Sequence, residues 1–231
     1  MNEILMVRIF IYTISLGASI ICLVNFRKLN KSFRWLGIFL LAASLSQITA
    51  YALMVTRGSN VDFYNVVILV NIILIFNIFV NINGNRRTKI WLTGIFAFGF
   101  LSTLSFVWSG IANQTFSVQG LALMSITVAL GALIILFGMM RNPLNSSPLK
   151  MGWLWLLMGF LFYYTSTFSY WTATEFTSQV NAKKSLQNVN IVLIIIFYLI
   201  LLTAIIIQLK FGDANNNPKP RRSIKSSSFL Q

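Results

Sequence analysis

An all-α polytopic membrane protein is what this sequence predicts: a bundle of seven transmembrane helices, N-terminus outside and C-terminus in the cytoplasm. Three observations carry the prediction. Of 231 residues, 57% are hydrophobic and only 10% charged, and the mean hydropathy is +0.76, more apolar surface than a water-soluble domain can cover. Seven stretches, at 4–24, 35–55, 63–82, 91–108, 118–140, 149–172 and 189–209, approach the roughly 20 apolar residues that a bilayer-crossing helix needs, and short connections join them. The basic residues then sort by side. Arg27, Lys28, Lys31 and Arg34, then Arg86, Arg87 and Lys89, then Arg141 and Lys150, then Lys210, Lys219, Arg221, Arg222 and Lys225 fall on one side. The other side receives Arg57, Lys183 and Lys184, and Arg8 lies inside span one. The positive-inside rule assigns the first side to the cytoplasm, which makes the expected location the cytoplasmic (inner) membrane.

Composition also excludes functions. The net charge of +14 comes from 18 Lys+Arg against 4 Asp+Glu. Because the cations cluster between apolar runs, they read as membrane anchors and not as a nucleic-acid surface. Histidine is absent and Cys22 is the lone cysteine, so the commonest general base, the commonest metal ligand and an intramolecular disulfide are all missing. The acids fall at helix ends, too scattered to pair as catalytic carboxylates. The chain is therefore expected to be no enzyme, with no cofactor and no metal site. Glu3 stands where a secretory signal would be basic, so span one is expected to persist as a helix.

Taken in order, each span shows a seam. Span one aligns Arg8, Tyr12, Ser15, Ser19 and Cys22 at spacings of three and four, and small groups so placed let a second helix approach closely. Arg8 near the outer surface either snorkels with a loose surface pair or, in the sharper reading, pairs with Glu175 and closes the outer end of a cavity between spans one and six. Span two carries Ser44, Gln47 and Tyr51 at helical spacing. Span three is apolar apart from its amides, of which Asn77 and Asn81 share a face and are expected to clamp helices together. Asn71 is assigned to the ligand side. Span four is a short packing helix, and span five sets Thr127, Gly131 and Gly138 on one close-packing side.

Span six is the most informative. At about 100° per residue, Gly152, Gly159, Tyr163, Thr167, Tyr170 and Thr174 occupy roughly one third of its circumference. A hydroxyl in hydrocarbon needs a partner, so this face is expected to turn inward. With Gln47, Asn71, Arg8 and Glu175 it forms the predicted ligand site, a small polar-aromatic cavity in the outer half of the bundle. Span seven is nearly all aliphatic, and 211–231 is expected to be a disordered basic tail lying on anionic headgroups. All four prolines, Pro143, Pro148, Pro218 and Pro220, fall outside the spans, so the helices should be unkinked.

Two seven-helix families fail on their motifs. Span seven holds no lysine for a retinal Schiff base, and Asn83-Gly84-Asn85-Arg86-Arg87 stands where a rhodopsin-like receptor carries its acidic-Arg-aromatic triplet. An internal similarity relates 31–42 to 147–159 and 70–75 to 189–194. It suggests three-plus-one-plus-three parallel repeats and a small-solute transporter, although the Pro-Gln motif of PQ-loop proteins is absent. In length, Asn-, Ile- and Lys-rich composition and the aromatic-polar sixth span, the chain resembles small stand-alone seven-helix proteins of Bacteroidetes-type bacteria. It is also similar in plan to the seven-helix sensor modules of some bacterial histidine kinases. That resemblance implies a sensory or accessory role with a membrane or cytoplasmic signalling partner; a structural subunit of a membrane complex is the other alternative.

Overall fold

The computed structural model describes the backbone of residues 2–82, 85–140, 147–176 and 180–216, and the side chains of 10–82, 85–140, 147–174 and 188–212. Among these residues the chain is helical throughout, with no strand. The helices are α1 (Asn2–Val24), α2 (Lys31–Arg57), α3 (Val61–Val80), α4 (Arg86–Ala112), α5 (Val118–Met140), α6 (Gly152–Phe176) and α7 (Val180–Asn216), with a 3₁₀ turn at Pro148–Lys150. Five are long and apolar enough to cross a membrane: α2, α3, α4, α5 and the Asn188–Gly212 part of α7. The described apolar part of α1, Phe10–Val24, is shorter, and α6 is not among the five because its tyrosines and threonines lower its hydropathy.

Local chemistry sets the helix ends. Asn30 caps α2 by accepting from the Phe33 N–H at 3.1 Å, and Asn85 caps α4 through the Arg87 N–H at 3.0 Å. Gly58 closes α2 at φ 72°, a left-handed backbone that a Cβ would strain. Pro148 opens the 3₁₀ turn, so α6 starts three residues later than position 149. At the far end α7 runs to Asn216, six residues into the stretch expected to be disordered. Helix continues there because no breaker precedes Pro218, and the residue before a proline is pushed out of the α region. Residues 217–231 of the predicted tail lie outside the described residues.

Successive helices pack side by side and antiparallel, α1 touches α7, and α3 touches α5. The α3–α5 contact leaves α4 bracing that pair from the periphery, with Trp91, Phe98, Leu101 and Trp108 all well exposed. Inside, the ring of Phe160 meets Phe39 at 5.7 Å, Phe79 at 5.4 Å and Phe197 at 5.5 Å, tying α2, α3 and α7 to α6. Since lipid is as apolar as leucine, close packing and not exclusion from water must hold such helices together. Glycine supplies the closeness. A Cβ on Gly37 would lie 2.7 Å from the Cys22 Cβ of α1, and one on Gly152 would lie 2.7 Å from the Ala204 carbonyl oxygen of α7. On α5, a Cβ on Gly131 would collide with Phe96 at 2.6 Å, while Gly138 is half-buried.

The amides of α3 depart from expectation. Asn77 donates to the Ile73 carbonyl at 2.9 Å and Asn81 to the Asn77 carbonyl at 2.6 Å, both on their own helix. An amide four residues after a free carbonyl lone pair finds a partner with no second helix, so the N–H groups of neither residue clamp helices. The amide that bridges is Asn65, fully buried near the start of α3. Its Nδ2 donates to the Thr115 carbonyl at 2.9 Å, and its Oδ1 accepts from the Ser117 N–H at 2.9 Å.

Candidate functional site

The polar groups of the interior collect between α1, α2, α6 and α7. Ser15 and Ser44 place their hydroxyl oxygens 2.9 Å apart, both buried, and Ser19 donates to the Gly37 carbonyl at 3.2 Å. Ser44 also reaches the Leu40 carbonyl at 2.9 Å, against 3.5 Å for Ser15. Ser44 is therefore the better donor to that carbonyl, and Ser15 donates to Ser44. The oxygen of Ser15 is left to accept, and Tyr198 of α7 is a polar neighbour of it. The order of donation runs from Ser15 to Ser44 to the backbone.

Tyr12, Tyr163 and Tyr164 lie in the neighbourhood of Tyr198. Ring packing fixes the α6 pair. Tyr163 stacks on Phe197 with centroids 4.3 Å apart and meets Tyr164 edge-on at 5.2 Å, and Tyr164 lies parallel to Phe160 at 6.0 Å. One helical turn beyond Tyr163 is Thr167, 3% exposed, whose hydroxyl has no hydrogen-bond partner. Tyr163 is its polar neighbour, but no bond of normal geometry joins them. A buried hydroxyl in that state costs about 1–3 kcal/mol and is where a ligand atom or a water would gain most.

Of the predicted site residues the structure brings together Tyr163 and Thr167, and adds Tyr198, Tyr164, Tyr12, Ser15 and Ser44. It does not bring in the others. Gln47 accepts from the Tyr64 hydroxyl at 3.3 Å, a separate bridge between α2 and α3. Asn71 is half-buried on α3, Tyr170 packs edge-on against its neighbour Trp171 at 5.2 Å, and Thr174 donates to the Trp171 carbonyl at 2.8 Å. Tyr51 is 63% exposed and faces away from the interior. The side chains of Arg8 and Glu175, and so their expected pair, lie outside the described residues. The assembled group sits at about mid-height of α6 and α7. The N-terminal part of the small-residue face of α6 has another use: Gly152 and Gly159 are pressed against α7.

Two members were hard to find by pattern. Tyr164 is turned about 100° from Tyr163 and so falls off the polar face. Tyr198 is an isolated tyrosine in an aliphatic helix, and only its polarity in that setting marks it. The group is neutral and rich in hydroxyl donors, suited to a small uncharged ligand carrying oxygen acceptors. A Thr167→Val substitution is expected to leave the melting temperature of the purified protein unchanged or to raise it, by up to about 1 kcal/mol, because the methyl fills the same space and no bond is lost. A clear fall in melting temperature would show the hydroxyl to be bonded.

Compared with protein-family models, curated proteins and solved structures, the chain matches none.

Proposed function

We propose that this chain is a non-enzymatic sensor or accessory protein of the cytoplasmic membrane. All seven helices cross, with the N-terminus outside and the basic connections inside. A small uncharged ligand, or a polar group from a partner helix, meets Tyr163, Thr167 and Tyr198, and the response passes through α6 and α7 to a membrane or cytoplasmic partner. The orphaned Thr167 hydroxyl, buried within a hydroxyl-rich group shared by α1, α6 and α7, is the observation that carries this reading. The test is mild cross-linking and purification from native membranes. Recovery of a stoichiometric kinase or other membrane complex, weakened by Thr167→Val or Tyr198→Phe, supports the role. Recovery of the chain alone, with facilitated flux of uncharged solutes in proteoliposomes, would replace it with transport.

That second reading has one observation in its favour. With α4 peripheral, α1–α3 and α5–α7 form a ring of two three-helix halves in which the α3–α5 contact corresponds to the α7–α1 contact. Against it, Gly37 and Gly152, which align in the internal similarity, meet non-equivalent neighbours, α1 in one case and α7 in the other. Phe160 and its ring partners also fill the space between α2, α3, α6 and α7, where a solute path between the halves would run.

A further inference from the structure

The end of the bundle that gathers the basic connections holds a second arrangement. Lys150 closes the 3₁₀ turn and sets its Nζ 5.8 Å from the centre of the Phe211 ring, and Lys210 on α7 sets its own Nζ 5.5 Å from the same ring. Each contact is favourable alone, but together they bring two like charges to one aromatic side chain. No acidic side chain among the described residues lies at this end; Asp213 follows on α7 with its side chain outside them.

Arg34, at the same end, shows what a structural cation looks like. It lies 5.1 Å over the Phe26 ring, but its Nε donates to the Leu29 carbonyl at 2.9 Å and an η nitrogen to the Arg27 carbonyl at 3.4 Å. Its charge pins the α1–α2 connection. Lys150 and Lys210 have no such bonds to described residues. Their supports are nevertheless fixed. The Lys150 N–H bonds the Ser147 carbonyl at 3.0 Å, and Trp155 Nε1 bonds the Leu149 carbonyl at 3.2 Å. Gly152 seats this corner of α6 directly on α7. Two lysines whose ammonium groups bond no described residue, on a corner fixed by these contacts, beside a ring and at a helix end where headgroups would lie, match a phosphodiester with an acyl chain running down from it.

We propose that Lys150 and Lys210, held together by the Phe211 ring, bind the phosphate of an anionic phospholipid headgroup. This deepens the membrane reading above and rests on it. The test titrates short-chain phosphatidylglycerol into the detergent-solubilised full chain, read by tryptophan fluorescence. Lys150→Gln with Lys210→Gln is expected to weaken apparent affinity roughly 30-fold, on the order of tenfold or less per lysine. Lys28→Gln with Lys31→Gln, which removes the same charge from the same end, should stay within about twofold. Phe211→Leu should weaken binding with no change in charge. Equal weakening by the two lysine pairs would overturn the site in favour of diffuse attraction, and displacement of the lipid by millimolar inorganic phosphate would make it a free-anion site. Failure of the membrane reading looks different, since the chain would then stay monodisperse without detergent.

Discussion

A Phe160→Ala variant is expected to lose about 3–5 kcal/mol of stability, the largest single effect in the molecule. Phe160 is fully buried and its ring touches those of Phe39, Phe79, Tyr164 and Phe197, on α2, α3, α6 and α7. Truncation removes one side of each contact and leaves a void that straight, laterally packed helices cannot close. Dispersion contacts matter more here than in water, because transfer to lipid gives a leucine or phenylalanine no penalty to avoid. Thermal unfolding in a fixed detergent would read the loss, with Phe160→Leu retaining most of it. A cost below about 1 kcal/mol would mean the helices are held elsewhere.

Asn65→Leu comes next. It removes both hydrogen bonds from α3 to the α4–α5 connection and strands the buried Ser117 N–H, at about 1–3 kcal/mol, while the more exposed Thr115 carbonyl costs less. The connection is tight: the Thr115 N–H bonds the Gly110 carbonyl at 2.8 Å, and Gln114 is held at φ 54°, which a residue with a Cβ seldom adopts. Without Asn65 only the bonds within the connection itself offset that strain, so a cysteine at Gln114 should react faster and the melting temperature should fall. Asn65→Asp is the informative control. It can still accept from Ser117 but cannot donate to Thr115, and its loss should be intermediate or larger if the carboxylate stays charged. Equal reactivity at position 114 in all three proteins would show that the connection holds its shape unaided.

Much of the helical plan was legible because its physics is one-dimensional. Hydrocarbon demands long apolar runs, and α5 begins and ends where its run does. Ends governed by polar chemistry were not legible in the same way. α2 starts at Lys31 and α4 at Arg86, several residues outside their apolar runs, because Asn30 and Asn85 supply caps in the aqueous layer. The site was legible only as a face. Periodicity could assign Tyr163 and Thr167 to one side of α6, but which helix that side meets depends on the azimuth of every neighbour, which hydropathy does not encode. Hence Gln47 was grouped with the α6 residues although it pairs with Tyr64, and Tyr198 was passed over. The amides show the same limit. Asn65, Asn77 and Asn81 are the same residue type on one helix, yet one bridges to a connection fifty residues away in sequence and two donate to their own backbone.

A seven-helix crossing that includes α6, with the basic connections in the cytoplasm, is read most directly by cysteine accessibility. In a Cys22→Ala background, single cysteines at Ser147 and at Ser178 bracket α6. Labelling intact cells with a membrane-impermeant maleimide should modify Ser178→Cys and leave Ser147→Cys unreacted until the cells are opened. Modification of both from outside, or of neither, would mean that α6 does not cross, and the hydroxyl group at Thr167 would lose its place inside a seven-helix bundle.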